Sequence, residues 1–159
     1  MDSRQPGLGT QLRRLLALLD GDVQTIYEEL GFPFRPRFYP VTRLLLEVGS
    51  ESVSGIARLT GVTQPAATQT IREMRALGLV RVSAGEDRRA RRVSLTDKGI
   101  RLAAEMRPIW EAVERAAAAL ESELPAGLAP VLDAAIAALD REPFGRRIHA
   151  LLSKGRPTR

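Results

Sequence analysis

Residues 52–75, SVSGIARLTGVTQPAATQTIREMR, read as two short helices on either side of a glycine turn. Ser52 is placed to cap the first, which carries Val53, Ile56, Ala57 and Leu59 and ends at Thr60-Gly61, where glycine can take the left-handed conformation that closes a helix. Thr63 caps the second. In that helix Pro65 occupies the first turn, where a missing amide hydrogen matters little, and Ala67, Ile71, Met74 and then Leu77 form the inward face. Two short helices joined at Gly61-Val62 make a helix-turn-helix. Opposite the inward face stand Gln64, Pro65, Thr68, Gln69, Arg72 and Arg75, none of them large and apolar. Glutamine pairs with adenine edges, arginine with guanine edges, and threonine with phosphates or thymine methyls. The same face also suits a helix that merely meets solvent.

C-terminal to this pair, Gly78 is followed by a short strand, Leu79-Val80-Arg81-Val82, a charged tip from Ser83 to Arg92, and a returning strand, Val93-Ser94-Leu95. This is a hairpin, or wing. Its tip, Glu86-Asp87-Arg88-Arg89-Ala90-Arg91-Arg92, places four arginines within five residues, which repel one another unless an anion is near. A DNA backbone would supply that anion. Asp87 can pair with Arg89 at the turn and hold its guanidinium ready for a narrow minor groove. Thr96 ends the hairpin and can cap the next helix, with apolar positions Leu102, Met106, Ile109, Val113, Leu120 and Leu124, until Pro125 interrupts.

The two ends of the chain are helical as well. Leu8, Leu12, Leu15, Leu16, Leu19, Val23, Ile26 and Leu30 recur at helical spacing before Gly31. This stripe repeats nearly every seven residues and suits packing against other helices, of this chain or of a second one. Leu128, Val131, Leu132, Ala135, Ile136 and Leu139 form another stripe, which restarts after Pro143 toward Leu152, and the tail Ser153–Arg159 is expected to fray. Between the first helix and a short one at Val41–Val48, three prolines in the nine residues Phe32–Pro40 predict an extended, turning connection. Five of the seven aromatic residues lie between Tyr27 and Tyr39.

Charge narrows the function classes. Lysine and arginine number 24 against 19 aspartate and glutamate, and only Lys98 and Lys154 are lysine. Residues 50–107 hold 11 basic and 6 acidic residues, a net of +5, while the remainder balances at 13 against 13. The whole excess therefore sits around the helix-turn-helix and hairpin, as an electrostatic footprint for a polyanion; an arginine-rich genome would raise the same totals. No cysteine is present and His149 is the only histidine, which removes disulfides and thiolate ligands and leaves too few imidazoles for an ordinary transition-metal site. No metal or cofactor is expected. With no run of about 18 apolar residues and no apolar leader in Met1–Thr10, the protein is expected in the cytoplasm.

Ile56-Ala57 through Gly61-Val62-Thr63-Gln64-Pro65-Ala66, then Gly78-Leu79-Val80, then Asp87-Arg88-Arg89 with Val93-Ser94-Leu95-Thr96-Asp97-Lys98-Gly99, resemble the MarR family of winged helix-turn-helix transcription regulators. The order and spacing are similar to the family's D-x-R-x3-V-x-L-T-x-x-G wing signature over roughly residues 41–107. The resemblance implies a mainly α fold with a small β-hairpin wing: a winged helix-turn-helix DNA-binding lobe at 41–100, an N-terminal dimerisation helix and aromatic connector at 1–40, and C-terminal dimerisation helices at 101–159. It implies a homodimer that binds a roughly palindromic operator on double-stranded DNA, as a repressor. Thr63, Gln64, Pro65, Thr68, Gln69, Arg72 and Arg75 would then form the recognition helix. Arg89 would enter the minor groove beside Asp87, and Arg88, Arg91 and Arg92 would touch phosphates. The family often releases DNA on binding a small aromatic or lipophilic effector; Phe32, Phe34, Arg35, Arg37, Phe38, Tyr39 and Trp110 are the candidate lining, although aromatics beside prolines are also ordinary core. The absence of cysteine departs from the peroxide-sensing members.

Two other function classes fit the sequence less well. A winged-helix module that binds protein without specific DNA binding would share the fold, yet has no need of Arg88, Arg89, Arg91 and Arg92 together. An enzyme is not expected: a lone His149, no cysteine, no phosphate loop and no paired acids leave no assembled site. Glu111 and Glu114 share their helix with Arg107 and Arg115 and read as surface charge pairing.

Overall fold

The computed structural model describes residues 6–84 and 91–154. In chain order the elements are α1 (Leu8–Glu29), a single 3-10 turn (Pro36–Phe38), α2 (Tyr39–Val48), β1 (Ser50–Ser52), α3 (Val53–Thr60), α4 (Gln64–Ala76), β2 (Val80–Ala84), β3 (Arg91–Leu95), α5 (Asp97–Ser122), α6 (Leu128–Arg141) and α7 (Phe144–Lys154). This is the mainly helical architecture with a small wing that the periodicity predicts. The chain divides into two compact units, residues 1–109 and 110–159.

The first unit is built on a buried apolar set drawn from the 3-10 turn, α2, α3, α4, β2, β3 and the start of α5. Phe38, Ile56, Ala67, Met74, Val93 and Met106 are fully buried, and Val41, Leu45, Ile71, Leu79, Val80 and Leu95 nearly so. Burial of each large side chain in such a set contributes about 1.5–3 kcal/mol. The inward face of α4 is as the spacing predicts, with Thr70 added to it. Leu59 and Leu77 lie outside this core: Leu59 is 48% exposed and Leu77 half-buried.

The connector departs from the extended segment expected of its prolines. Pro36 starts the 3-10 turn and Pro40 lies in the first turn of α2, positions where a fixed φ favours helix and no amide hydrogen is needed. Helix α2 therefore begins two residues earlier than Val41. Phe34 and Phe38 turn inward with Tyr27 of α1. Their rings meet edge to face, at 5.6 Å and 86° for Tyr27 with Phe34 and 5.5 Å and 82° for Phe34 with Phe38, the geometry that aromatic quadrupoles favour.

The sheet has three antiparallel strands in the order β1-β3-β2, with Glu51 and Val82 both opposite Val93. β1 was not foreseen. Ser50-Glu51-Ser52 has no apolar alternation, and the strand exists because β3, some forty residues later, pairs with it. The hairpin strands are also longer than Leu79–Val82 and Val93–Leu95 suggest. Ser83 and Ala84 continue β2, and Arg91 and Arg92 belong to β3 rather than to the tip.

In the second unit Arg147 secures the end of α6, donating to the carbonyls of Ala138 at 3.0 Å and Glu142 at 3.1 Å. No residue of α6 is fully buried. Val131, Ile136, Leu139, Phe144, Ile148, Leu151 and Leu152 are between 44% and 71% exposed. In the first unit α1 likewise buries only Tyr27 and leaves Leu8, Leu12, Leu16, Leu18, Leu19 and Ile26 open. Among the described residues, no helix is long and apolar enough to cross a membrane.

Candidate nucleic-acid interface

Helix α4 owes its position to local chemistry at both ends. At its start, Gly61 takes φ +70° and lets Val62 N–H reach back to the Ala57 carbonyl at 3.0 Å, closing α3. Thr63 then accepts from Ala66 N–H at 3.4 Å, and Ser52 does the same for α3 from Gly55 N–H at 3.0 Å. At its far end, Lys98 Nζ donates to the Leu77 carbonyl at 2.8 Å and Thr96 Oγ1 to the Gly78 carbonyl at 2.6 Å. Thr96 Oγ1 also accepts from Gly99 N–H at 3.1 Å, capping α5. The run Thr96-Asp97-Lys98-Gly99, which carries much of the sequence resemblance, is therefore a clasp between the end of α4, the root of the hairpin and the start of α5.

Gln64, Pro65, Thr68, Gln69, Arg72 and Arg75 are all exposed on α4, with Thr63 beside them. Thr68 Oγ1 donates to the Gln64 carbonyl at 2.8 Å, which leaves its lone pairs outward as acceptors. Among the described residues, Arg72 and Arg75 make no ion pair, so both cations face solvent from this helix. Gln69 is different: its Nε2 donates to Glu73 Oε1 at 2.7 Å. Glu73 in turn is held by Arg37, which donates to Oε2, and by Arg35 at 3.5 Å. The Arg37 and Gln69 hydrogen bonds, with the nearby guanidiniums, keep the Glu73 carboxyl below the usual carboxylate range. Glu73 did not figure among the site residues read from the sequence, because its partners stand 36 and 38 positions away.

On the hairpin, Asp87, Arg88 and Arg89 lie outside the described residues. Arg91 is exposed, whereas Arg92 is half-buried and committed inside the sheet. Its Nε donates to Ser50 Oγ at 3.0 Å and its Nη2 to the Ser50 carbonyl. Arg92 thus ties β3 to β1. Glu51 accepts from Ser52 N–H at 2.6 Å, and that bond, with Arg92 and Arg58 nearby, lowers its carboxyl below the usual range.

The residues proposed to line an effector site divide in the same way. Phe34 and Phe38 are 2% and 0% exposed and form core with Tyr27, so they are no lining. Phe32 and Tyr39 are half-buried, and Tyr39 has the Arg43 guanidinium 5.7 Å over its ring. Trp110 is buried and belongs to the second unit. Arg35 and Arg37 do border an open cavity of about 490 Å³, together with Asp20, Gln24, Glu28 and Pro36. Its wall is polar where the aromatic connector suggested an apolar one.

The sequence model described as MarR family matches residues 41–90, the part that holds α2 to α4 and the first hairpin strand. Among curated proteins none matches the sequence. Three solved structures illustrate the likeness of fold. The M. tuberculosis transcriptional regulator MosR in complex with DNA is 24% identical, with a TM-score of 0.67 over 86% of this chain and 95% of that one. S. aureus MepR in a DNA complex is 16% identical, with a TM-score of 0.66 over 85% and 97%. Bordetella bronchiseptica BpsR, whose DNA binding is regulated by 6-hydroxynicotinic acid, is 26% identical, with a TM-score of 0.61 over 89% and 94%.

Proposed function

We propose that this chain, a winged-helix protein whose residues 41–90 match the MarR family model, is a transcription regulator that binds double-stranded DNA as a homodimer and represses. The observation that carries this reading is the outward face of α4, where two exposed guanidiniums, Arg72 and Arg75, stand with Gln64 and Thr68 on a helix capped and clasped at both ends. A helix so held can enter a major groove with its polar side chains on base edges. In this reading Thr63, Gln64, Pro65, Thr68, Gln69, Arg72 and Arg75 form the recognition surface. Arg89 enters the minor groove beside Asp87, and Arg88 and Arg91 meet phosphates. Arg92, already bonded to Ser50, holds β3 in place instead.

Exposed apolar residues on α1 in the first unit, and on α6 and α7 in the second, support dimerisation, since apolar helix faces left in water favour association. Residues 1–40 and 101–159 then supply the dimer and 41–100 the DNA contact. A two-fold dimer reads a roughly palindromic operator with half-sites about 10 base pairs apart. The cavity beside Arg35 and Arg37 is the effector site in this reading, and the two guanidiniums, each about half exposed beside its bond to Glu73, fit the carboxylate of a small aromatic acid. The protein acts in the cytoplasm, without a cofactor and without catalysis.

Fluorescence anisotropy on a duplex from its own upstream region and on a scrambled duplex, titrated through salt, tests the reading. About a thousandfold preference with a steep salt slope is expected, from a species whose sedimentation mass is twice 17.4 kDa. Weak, equal binding both to these duplexes and to every member of a random pool would refute DNA reading. Aromatic carboxylates that change neither DNA affinity nor melting temperature would refute the effector site.

A further inference from the structure

Glu73 is an acidic side chain on the helix that, in the function proposed above, faces a polyanion. It stands one turn beyond Gln69, accepts that side chain's amide at 2.7 Å, and is gripped from the connector by Arg37 and Arg35. Both arginine side chains remain about half exposed, whereas that of Glu73 is 23% exposed. The carboxylate is thus the covered centre of a four-residue chain running from the connector to the base-reading face.

We infer that Glu73 is a positioning residue that sets base specificity through Gln69, and that Arg35 and Arg37 hold it there and neutralise it. The inference rests on the DNA-binding reading. A glutamine amide has two donor hydrogens on nitrogen and an acceptor oxygen. With Nε2 turned to Glu73, Oε1 is presented on the other side as an acceptor. It therefore selects, on the strand it contacts, a base that carries an amino group in the major groove, adenine through N6 or cytosine through N4, over guanine or thymine. An unheld glutamine would rotate freely and choose less. The two arginines have a second effect, because without them a bare carboxylate would face the phosphates.

The two halves of the chain give opposite signatures. Glu73→Ala releases the Gln69 amide and removes a negative charge. Discrimination at the base pair that Gln69→Ala also relaxes should fall by at least about fivefold, the lower end of what one base contact supplies. Affinity averaged over all sequences should stay level or rise. The Arg35→Ala, Arg37→Ala double variant leaves Glu73 charged and uncovered, and its affinity should fall on every duplex alike.

Selection from a random duplex pool with wild type and variants reads these outcomes, and melting temperatures keep stability separate. A nitrogen-15 spectrum of the Gln69 side-chain amide, assigned by its loss in Gln69→Ala, reads the contact without DNA and should shift in Glu73→Ala. Unchanged discrimination in Glu73→Ala, or equal loss on all sequences with a lowered melting temperature, overturns the positioning role. An amide signal that does not move overturns the contact itself. A wild type that selects no sequence overturns the DNA-binding reading, whatever the amide does.

Discussion

Replacing Gly99 with alanine tests the clasp that joins α4, the hairpin and α5. A Cβ at residue 99 would overlap the Leu79 carbonyl oxygen and lie 3.1 Å from Leu79 C and 3.2 Å from Leu95 Cδ2. The obstacle is backbone, so no side-chain rotation relieves it. That same Leu79 oxygen accepts from Thr96 N–H at 3.0 Å. Forcing a methyl into a packed site costs about 1–3 kcal/mol, and loss of the hydrogen bond adds about 1 kcal/mol. Against these, alanine is favoured over glycine in a helix by up to about 1 kcal/mol. The balance is a loss of about 2 kcal/mol. At about 2–4 °C for each kcal/mol in a protein of this size, the melting temperature should drop by about 4–8 °C. Circular dichroism melts and urea titrations, at one fixed protein concentration, measure it. A variant as stable as wild type, or more stable, would show that the glycine is there for some reason other than close approach.

Three more perturbations separate the roles assigned above. Ser52→Ala should cost about 1 kcal/mol by urea denaturation, because it removes the 3.0 Å cap on Gly55 N–H, and Thr63→Ala less, its cap being longer at 3.4 Å. Arg92→Ala should destabilise by about 1–3 kcal/mol, through the lost charged bonds to Ser50. Arg91→Ala should leave stability within about 0.5 kcal/mol, as expected of an exposed surface position, while weakening binding to all duplexes and lowering the salt slope by about one. The pH dependence follows from Glu51 and Glu73, both held below the ordinary carboxylate range when folded. A lowered folded pKa means that the unfolded chain takes up the proton first, so this stability is present above the usual carboxylate value and disappears as pH falls through the folded one. The gap between wild type and a Glu51→Gln, Glu73→Gln variant in urea midpoint should be open at pH 6 and should narrow as pH falls below the usual carboxylate range; a constant gap would contradict the sign.

Local signals made much of this molecule legible. The helix-turn-helix could be read because caps, a left-handed glycine and a 3.6-residue stripe all act within a few positions, and Ser52, Gly61, Thr63 and the Ala67, Ile71, Met74 face fall where such rules place them. The prolines of the connector misled because a proline that ends one helix also starts the next; only the path of the chain tells the two apart at Pro36 and Pro40. β1 is polar and three residues long, and is a strand only in the company of β3. Long-range pairings escaped for the same reason. Arg92 read as another cation of the tip because its partner Ser50 is 42 positions away, and Arg35 and Arg37 read as candidate ligand groups without the Glu73 that they also hold. The aromatic group carried two readings in the sequence, core or lining, and the edge-to-face stack of Phe34 and Phe38 with Tyr27 assigns those two rings to core.

The clasp at Thr96 and Lys98 also bears on how the hairpin can change. Thr96 reaches Gly78, and Lys98 reaches Leu77, so the excursion between residues 78 and 96 is a ring closed at its root. For a ring closed there, length added at the far end alters only the closure entropy, and doubling a loop costs about 0.6 kcal/mol. The length of chain that joins β2 to β3 can then change while the seams to α4 and α5 stay shut. The Thr96-Asp97-Lys98-Gly99 root thus fixes the frame independently of what it carries at the far end.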